Sequence, residues 1–423
     1  MKETKFKQTE VGMIPSDWEV KRLSDFAATS SGGTSSRSIS DYYNGDIKWF
    51  TTTELKDCFL NDSIEHISED AINNSSAKIF PKNTLLMAMY GATIGRLGIL
   101  NFPAATNQAC CAIFPKNNDV QYLYYFFLHN RDNIVAMGCG AGQPNISQEI
   151  VKKILVPLPP TIEEQKRIAQ ALSDVDAVIS TTEKLIAKKK ALKQGTMQTL
   201  LSGKMRIQNG KWIKTTHFKQ TELGPIPQEW EVKTIGDLGS FLGGGTPSTK
   251  NESFWKGHIP WISSADLNDD DIDHISTTRF ISLEAVNSSA TQICPQGTIL
   301  IIARVGVGKL ALSAQKVCTS QDFCNLIPSK ENNPKFLAYA LLPVMKNMAN
   351  ESQGTSIKGV AVDEIKKTPI AVPSLKGEQT AIATILSDMD AEIAALETKL
   401  AKYRQLKTGM MQQLLTGKIR LIK

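Results

Sequence analysis

The sequence has no run of about 18 consecutive apolar residues, the length that a membrane-spanning helix needs. The nearest candidate, GTILIIARVGVGKLAL, is shorter and is interrupted by Arg304 and Lys309. The first residues, MKETKFKQTEVG, contain no apolar stretch and no small-residue cleavage site, so they do not predict a signal peptide. We therefore expect a cytoplasmic protein without a membrane partner.

Cysteine and histidine are too scattered to indicate a metal site. There are 7 cysteines and 5 histidines, with no C-x-x-C pair and no histidine at a ligand spacing from a cysteine. An odd number of irregularly spaced cysteines does not predict a disulfide framework. We expect buried thiols in a reducing compartment and no bound metal.

Catalytic motifs are absent as well. GVGKL at Gly306 resembles part of a P-loop, but that motif would need glycine in place of Ala303 and serine or threonine in place of Leu310. No G-x-S-x-G nucleophile motif occurs. The acidic run DLNDDDIDH from Asp266 does not fit an EF-hand and predicts a solvated loop. We predict a glycine turn at GVGKL and no catalytic residue in this chain.

The composition is that of a soluble globular protein of more than one domain. The chain has 423 residues, of which 41% are hydrophobic and 21% charged. A net charge of +6 is compatible with nucleic-acid binding but does not diagnose it.

One line of sequence occurs twice. FKQTEVGMIPSDWEV from Phe6 and FKQTELGPIPQEWEV from Phe218 agree at 11 of 15 positions. The match continues through NGDIKWFTTTEL and KGHIPWISSADL, which align Trp49 with Trp261, to the closing lines LKQGTMQTLLSGKMRI and LKTGMMQQLLTGKIRL. The chain is therefore two copies of one domain-sized unit, about residues 1–209 and 210–423, with an implied pseudo-twofold axis.

The two copies agree at their ends but differ in the loops between, so one scaffold carries two different surfaces. Apolar runs such as NTLLMAMYG and GTILIIARVG predict strands, and YLYYFFLHNRDNI and FLAYALLPVMKNM predict helices, which together indicate a mixed α+β domain. Because Trp49 and Trp261 recur, we expect them in the core.

A long helix closes each copy. Thr161 and Glu164 predict a capping box for the first helix, and Ser374 is a possible cap for the second. Asp174, Asp176, Asp388 and Asp390 recur near the helix starts, where we expect a helix-dipole or contact role. Apolar steps of three and four predict a coiled-coil seam, formed by Leu172, Val175, Ile179 and Ile186 in the first helix and by Leu386, Met389, Ile393, Leu396, Leu400 and Tyr403 in the second. We expect the two helices to pair antiparallel; the alternative is that each packs on its own domain.

The chain resembles the specificity subunit of Type I restriction–modification enzymes over nearly its full length. The resemblance rests on G-x-I-P-x-x-W-E-V (Gly12 to Val20 and Gly224 to Val232), on G-G-T before I-x-W, on P-L-P-P…E-Q before the helix, and on L-L-S/T-G-K-x-R at the helix end. Each motif alone is modest, but their repetition in one order is specific.

The resemblance implies an α+β fold with two pseudo-twofold-related globular target recognition domains, residues 1–156 and 210–373. These would be separated by two long spacer helices, residues 157–209 and 374–423, forming an antiparallel coiled coil. Each domain would read one half of an asymmetric bipartite DNA site, while the helices set the gap and dock partners.

The implied partners are double-stranded DNA, two modification subunits and restriction subunits. The modification subunits would supply S-adenosylmethionine and adenine-N6 methylation, and the restriction subunits ATP- and Mg²⁺-dependent translocation and DNA cleavage. This chain would bind no cofactor and would be non-catalytic by itself, a subunit of a methyltransferase and of a Type I site-specific deoxyribonuclease.

Candidate DNA-contact residues are polar or basic positions in loops that differ between the copies, because such side chains contact base edges and phosphates. In the first copy they are Thr34, Arg37, Lys48, Tyr90, Arg96, Gln143 and Asn145. In the second they are Thr246, Ser248, Lys250, Lys256, Arg304, Lys309, Thr355 and Lys358.

Three alternatives remain open at this point. The chain could be a free-standing bipartite DNA-binding regulator, a two-headed protein scaffold, or an enzyme whose site lies in the unaligned loops. Neighbouring genes would test the first alternative. Salt-sensitive DNA binding would speak against the second, and a nuclease or ATPase assay would decide the third.

Overall fold

The computed structural model describes residues 5–138, 145–352 and 359–422. The chain divides into two compact units. Unit 1 combines Met1–Lys184 with Glu397–Lys423, and unit 2 is Leu185–Leu396. Each unit therefore contains part of both long helices, whereas the domain boundaries expected from the resemblance, at residues 156, 209 and 373, stay a prediction.

The strands of the first copy are short, and one of them, Leu85–Ala88, lies in the predicted apolar run NTLLMAMYG. They are β1 Phe6–Thr9, β2 Gly12–Pro15, β3 Glu19–Arg22, β4 Ala27–Ser31, β5 Ile47–Phe50, β6 Cys58–Leu60, β7 Glu65–Ile67, β8 Ile79–Phe80, β9 Leu85–Ala88, β10 Leu97–Leu100, β11 Ala104–Thr106, β12 Cys110–Pro115 and β13 Leu155–Leu158.

The strands that follow are β14 Met205–Gln208, β15 Lys211–Lys214, β16 Phe218–Thr221, β17 Gly224–Pro227, β18 Trp230–Thr234, β19 Gly239–Gly243, β20 Ile259–Ile262, β21 Phe280–Ile281, β22 Ile299–Ile302, β23 Leu310–Leu312, β24 Cys318–Thr319, β25 Phe323–Pro328 and β26 Pro369–Pro373.

The helices are α1 Leu23–Phe26, α2 Glu69–Asn73, α3 Val120–His129, α4 Arg131–Ala136, α5 Gln148–Lys153, α6 Ile162–Leu201, α7 Leu283–Asn287, α8 Pro334–Ser352, α9 Val362–Lys367 and α10 Lys376–Leu414. Short 3-10 helices cover Ser40–Tyr43, Thr52–Glu54, Gly91–Thr93, Ile235–Leu238, Glu252–Trp255 and Ser264–Asp266.

Each unit contains a corresponding pair of sheets, with one strand fewer in each sheet of unit 2. In unit 1 the strand orders are β4-β12-β9-β10-β6 and β7-β5-β11-β8, and in unit 2 they are β19-β25-β22-β23 and β21-β20-β24. Most pairings are antiparallel, but β11 pairs parallel with β5, as β24 does with β20, and in unit 1 β10 also pairs parallel with β6. Repetition of this arrangement confirms the α+β prediction and the duplication.

The two recurring tryptophans lie in the core, as predicted. Trp49 is 2% exposed and Trp261 is 4% exposed. Each indole N–H donates to a glycine carbonyl of the G-G-T line, Gly33 at 3.0 Å and Gly245 at 2.9 Å. A Cβ at either glycine would overlap backbone atoms, so the G-G-T and I-x-W motifs are parts of one packing arrangement.

The predicted apolar helix differs between the copies. In unit 2 it is continuous as α8 and passes through Pro343. In unit 1 it is divided between α3 and α4 at Asn130, where φ is −99° and ψ is 13°. The Asn130 amide donates to the Phe126 carbonyl at 2.9 Å, which gives the end of α3 a side-chain partner.

The long helices run antiparallel to each other within each unit. In unit 1, Lys407 pairs with Asp176 at 2.6 Å and Arg404 pairs with Glu183 at 2.7 Å. The residue numbers of the partners in α10 fall as those in α6 rise, which is the order of an antiparallel pair. In unit 2, Lys193 pairs with Asp390 at 2.5 Å, and Lys189 with Glu392 at 2.6 Å. Of the predicted seam residues, Leu172, Ile186, Leu386, Ile393 and Leu400 are buried, while Val175, Ile179, Met389, Leu396 and Tyr403 are half-buried.

The open alternative, that each helix packs on its own domain, holds for the beginning of each helix, whereas its end packs on the other copy's domain. The beginning of α6 and the end of α10 contribute Leu172 and Leu414 to the core of unit 1. The end of α6 and the beginning of α10 contribute Leu200 and Leu386 to the core of unit 2. Helix pairing and domain packing are therefore combined along the same helices.

Two of the four recurring aspartates, Asp176 and Asp390, have a contact role. Asp176 lies well inside α6 and accepts a hydrogen bond from the Tyr125 hydroxyl at 2.9 Å, and Asp390 accepts one from Tyr339 at 2.7 Å. Burial and the neighbouring aspartate raise the pKa of each tyrosine, which keeps the hydroxyl protonated as the donor. Each carboxylate thus joins a domain helix to a lysine of the opposite long helix.

The described cysteines predict a simple pattern of reactivity. Cys58 is exposed, whereas Cys110, Cys111, Cys294, Cys318 and Cys324 are buried. Burial raises the pKa of Cys110 to about 12, so its thiolate forms only as the pH approaches that value. At pH 8 we expect iodoacetamide to modify Cys58 and to leave the five buried thiols unmodified until urea is added. Peptide mass spectrometry would detect the sites, and rapid native modification of Cys110 would contradict the burial.

Over the ranges that the structure describes, no helix combines the length and the apolar character that crossing a membrane requires.

Candidate nucleic-acid interface

The G-G-T lines begin the candidate surface in both copies. The Thr34 hydroxyl donates to the side-chain oxygen of Gln108, and Thr246 donates in the same way to Gln321. These matching bonds tie the loop after β4 or β19 to the loop before β12 or β25. The two threonines therefore position loops, and Thr246 is also exposed enough to contact a ligand.

In each unit, a described residue at or after the later candidate stretch contacts the chain just before the glycine turn. In unit 1, exposed Tyr90 forms a backbone bridge with Asn145; Gln143 lies outside the described residues. In unit 2, the Val360 N–H donates to the Ala303 carbonyl at 2.8 Å. Thr355 and Lys358 lie outside the described residues.

GVGKL forms the predicted glycine turn. It connects β22 to β23, and φ is +95° at Gly306 and +103° at Gly308. These positive φ values favour glycine because a Cβ would be strained there. The equivalent turn between β9 and β10 has φ of +68° at Gly91 and +75° at Gly95.

Most of the candidate cations are paired with carboxylates. Arg37 pairs with Glu65 at 2.5 Å, Arg96 with Asp57 at 2.5 Å, Lys48 with Asp62, Lys256 with Glu252 at 3.1 Å and Lys309 with Asp269 at 3.7 Å. Arg96 shares Asp57 with Arg131, so its charge is compensated within the protein. By contrast, Arg304 and Lys250 are exposed and form no ion pair within the described ranges, and Ser248 is an exposed loop residue. The two unpaired cations have the most charge available for a phosphate or a base.

Sequence reasoning missed Arg279, which holds a central position on this surface of unit 2. Its guanidinium lies over the Trp261 ring, 4.6 Å from the centroid, and donates to Asp266 at 2.7 Å. The prediction of a solvated acidic loop is wrong for Asp266, which is 7% exposed, because this carboxylate also accepts from the Ser263 N–H. No motif surrounds Arg279, so the sequence offered no signal that would have singled it out.

The repeated opening and closing lines meet in each unit. In unit 1, Arg420 of the closing line donates to Glu164 at 2.5 and 2.8 Å and to Asp17 of the opening line at 2.8 and 3.0 Å. These bonds from Arg420 are the main reason that the pKa of Asp17 is lowered. We call Arg420, Glu164 and Asp17 the unit 1 clasp.

Unit 2 has a matching clasp, formed by Arg206, Glu378 and Glu229. Arg206 donates to Glu378 at 2.9 and 2.8 Å and pairs with Glu229. The closing line of each copy therefore binds the opening line of the other copy's unit.

The clasps also correct the predicted helix caps. Thr161 accepts the Glu164 N–H at 3.3 Å, which is half of a capping box, but the Glu164 carboxylate binds Arg420 instead. Ser374 does not cap α10 with its hydroxyl, which donates to the Glu229 carbonyl at 2.5 Å. A glutamate three residues after threonine indicates a local cap, whereas here a distant arginine binds that glutamate.

In the described part of the chain, histidine, cysteine and acidic side chains form no group of three or more suited to a metal ion.

The sequence model of one family, described as Type I restriction modification DNA specificity domain, matches residues 15–191 and again residues 227–404. The chain is 25% identical to the Type I restriction enzyme MjaIX specificity subunit of Methanocaldococcus jannaschii over 441 residues, covering 99% of this chain and 97% of that protein. It is 27% identical to the Type I restriction enzyme EcoR124I/EcoR124II specificity subunit of Escherichia coli over 281 residues, covering 64% and 63% of the two chains.

Two solved structures share the fold. The Type-I restriction-modification S subunit from M. genitalium aligns with a TM-score of 0.60 at 16% identity, over 97% of this chain and 98% of that one. A chain from a study of complex assembly and conformational transition of the type I R-M system aligns with a TM-score of 0.58 at 16% identity, over 96% and 99%.

Proposed function

The chain belongs to the family of Type I restriction modification DNA specificity domains, and from this membership we propose that it provides the sequence specificity of a Type I restriction–modification complex. Each recognition domain reads one half of an asymmetric bipartite site in double-stranded DNA. The long helices set the gap between the halves and dock the modification subunits. The chain itself is non-catalytic.

The observation that carries this proposal is the duplication of one scaffold with two different sets of loops. Both units keep the Trp–Gly packing, the glycine turn and the clasp. They differ in the charged residues around those features, for example Glu65 where unit 2 has Arg279. Two readers with different surfaces favour an asymmetric target over a palindrome.

The chemistry then belongs to partners. Two modification subunits bind S-adenosylmethionine and methylate adenine at N6, and restriction subunits use ATP and Mg²⁺ for translocation and cleavage. This division supports a cytoplasmic complex in which the present chain contacts DNA and protein but holds no cofactor.

A methylome tests the proposal. The chain would be expressed with the modification subunit encoded beside it, and N6-methyladenine would be mapped by single-molecule sequencing with and without this chain. We expect a split motif with a fixed gap that requires the chain. Replacing residues 30–150 with the same region of a relative should change one half-motif and leave the other intact.

The matched exchange is at residues 242–360, the corresponding region of the second copy, and it should change only the other half-motif. Methylation that is independent of the chain, or a motif without a gap, would contradict the proposal that two recognition domains each read one half-site. A regulator or a protein scaffold would then be the better interpretation.

A further inference from the structure

A recess of about 500 Å³ lies on the surface of unit 2, open to solvent. It is lined by Thr249, Glu252, Trp255, Lys256 and Arg279. The 3-10 helix Glu252–Trp255 forms one wall, and Arg279, just before β21, forms the other. The first wall belongs to a loop region that differs between the copies, which is where half-site specificity is expected.

Arg279 is fixed in place rather than being a freely moving surface arginine. Its Nη2 donates to the buried Asp266 carboxylate at 2.7 Å and to the Ser263 hydroxyl, and its backbone carbonyl accepts the Trp261 N–H at 2.9 Å. The guanidinium also stacks over the Trp261 ring. This side chain therefore loses little conformational entropy when it binds a ligand.

The contacts leave part of the guanidinium available. Within the described ranges, Nη1 and Nε of Arg279 have no hydrogen-bond partner, and the side chain is 40% exposed. An arginine that is oriented by a carboxylate and keeps free N–H donors can bind two acceptors of one base edge.

The same place in unit 1 has the opposite arrangement. Glu65 lies opposite Trp49 across β5 and β7, in the position that Arg279 occupies relative to Trp261. Arg37, which aligns with Thr249, lies over Tyr43 and forms two hydrogen bonds with Glu65 at 2.5 and 3.1 Å. The arginine of unit 1 therefore uses both Nη groups within the protein, whereas that of unit 2 uses one.

Asp266, the carboxylate that orients Arg279, has a counterpart in unit 1 that binds backbone N–H groups instead of an arginine. Glu54 aligns with Asp266 and accepts the Thr51 N–H at 2.8 Å, as Asp266 accepts that of Ser263 at 2.7 Å. The other oxygen of Glu54 accepts the Ile64 N–H at 2.8 Å. Among the described residues, this carboxylate binds an arginine in unit 2 but not in unit 1. The unpaired Nη1 and Nε of Arg279 are therefore a feature of the second recognition domain alone.

From this geometry we infer that Arg279 is a specificity-determining residue of the second domain, which recognises a guanine in a groove of double-stranded DNA at the recess. Guanine presents O6 and N7 as adjacent acceptors in the major groove, and arginine is their commonest partner. Lys256, at the rim, contacts a neighbouring phosphate, because its pairing with Glu252 is largely exposed and therefore weak. This inference rests on the proposed function.

The test uses the full chain co-expressed with the modification subunit, and compares methylation at sites that differ by one base. Arg279→Lys keeps the positive charge and a partner for Asp266, but it lacks the planar fork. We expect discrimination in favour of guanine at one position of one half-motif to fall about 5- to 150-fold, with every other position unchanged. Arg279→Ala should act at the same position.

Two matched variants separate base reading from other roles. Lys256→Ala should lower methylation evenly across sequences and reduce the salt dependence of DNA binding by about one unit of the log–log slope. Arg37→Ala, in unit 1, should leave the half-motif of the second domain unchanged.

The outcomes distinguish this inference from the proposed function. If the unaltered chain directs no split motif, the proposed function is wrong. If it does, but Arg279→Lys leaves discrimination unchanged at every position, or relaxes all positions equally, Arg279 has only a structural role. A second half-motif that contains no guanine on either strand would overturn the inference as well.

Discussion

Replacing Arg420 with methionine should destabilise unit 1 by about 3–5 kcal/mol, because Glu164 would stay buried without its cation. The Glu164 side chain is 1% exposed and that of Arg420 is 8% exposed, so water cannot replace the lost hydrogen bonds without rearrangement. The Arg420 guanidinium also lies over the Trp18 ring, with its central carbon 5.7 Å from the ring centroid. Hydrogen exchange measured peptide by peptide would report the loss as faster exchange in unit 1, and it does not require the two units to unfold together.

The clasp of unit 2 provides the control. Arg206→Met should accelerate exchange in unit 2, where the side chain of Glu378 is 5% exposed, and leave unit 1 unchanged. Adding Glu164→Gln to Arg420→Met should recover part of the stability, because the buried group would then carry no charge. Equal protection in Arg420→Met and the unaltered chain would show that the clasp contributes nothing to folding.

The duplication and the long helices were predictable because their signals are periodic or repeated. A match of 11 in 15 positions between Phe6 and Phe218 does not depend on knowing the fold. The steps of three and four from Leu386 to Tyr403 likewise describe one helix face directly. Strands such as β9 and β22 were found because an apolar run ends at a glycine turn.

The features that sequence reasoning missed depend on partners far away in the chain. Glu164 looked like half of a capping box because its neighbour Thr161 is close, but its carboxylate binds Arg420, 256 positions later. Asp266 looked solvated because it begins an acidic run, yet its position in a turn places it under Arg279. Local spacing cannot show which of several possible partners a charged side chain reaches.

The candidate DNA contacts were predictable as regions rather than as residues. Loop divergence indicated the stretch from Thr246 to Lys256, and part of this stretch borders the recess. Loop divergence could not show that the charge of Arg96 is compensated by Asp57, whereas Arg304 is exposed and unpaired among the described residues. The distinction requires the positions of carboxylates on other strands.

Gly417→Ala should be the second strongly destabilising change, by about 2–5 kcal/mol. Gly417 has φ of +68°, which is strained for alanine, and an added Cβ would overlap the ring of Pro15 and crowd Trp18 at 3.1 Å. The closing line therefore needs glycine because its backbone packs directly on the opening line of unit 1. Hydrogen exchange and thermal unfolding of the variant would measure the loss.

A glycine inside α10, eight residues before Gly417, gives the opposite expectation. Gly409 lies inside α10, and a Cβ added there would have no neighbouring atom within 4 Å, so Gly409→Ala should stabilise the chain by about 1 kcal/mol. Gly203→Ala should repeat the destabilisation in unit 2, because its φ is also +68° and its Cβ would overlap Pro227. If Gly417→Ala proved as harmless as Gly409→Ala, the closing and opening lines would not be in contact. The close agreement of the two copies at their ends would then need an explanation other than contact between these lines.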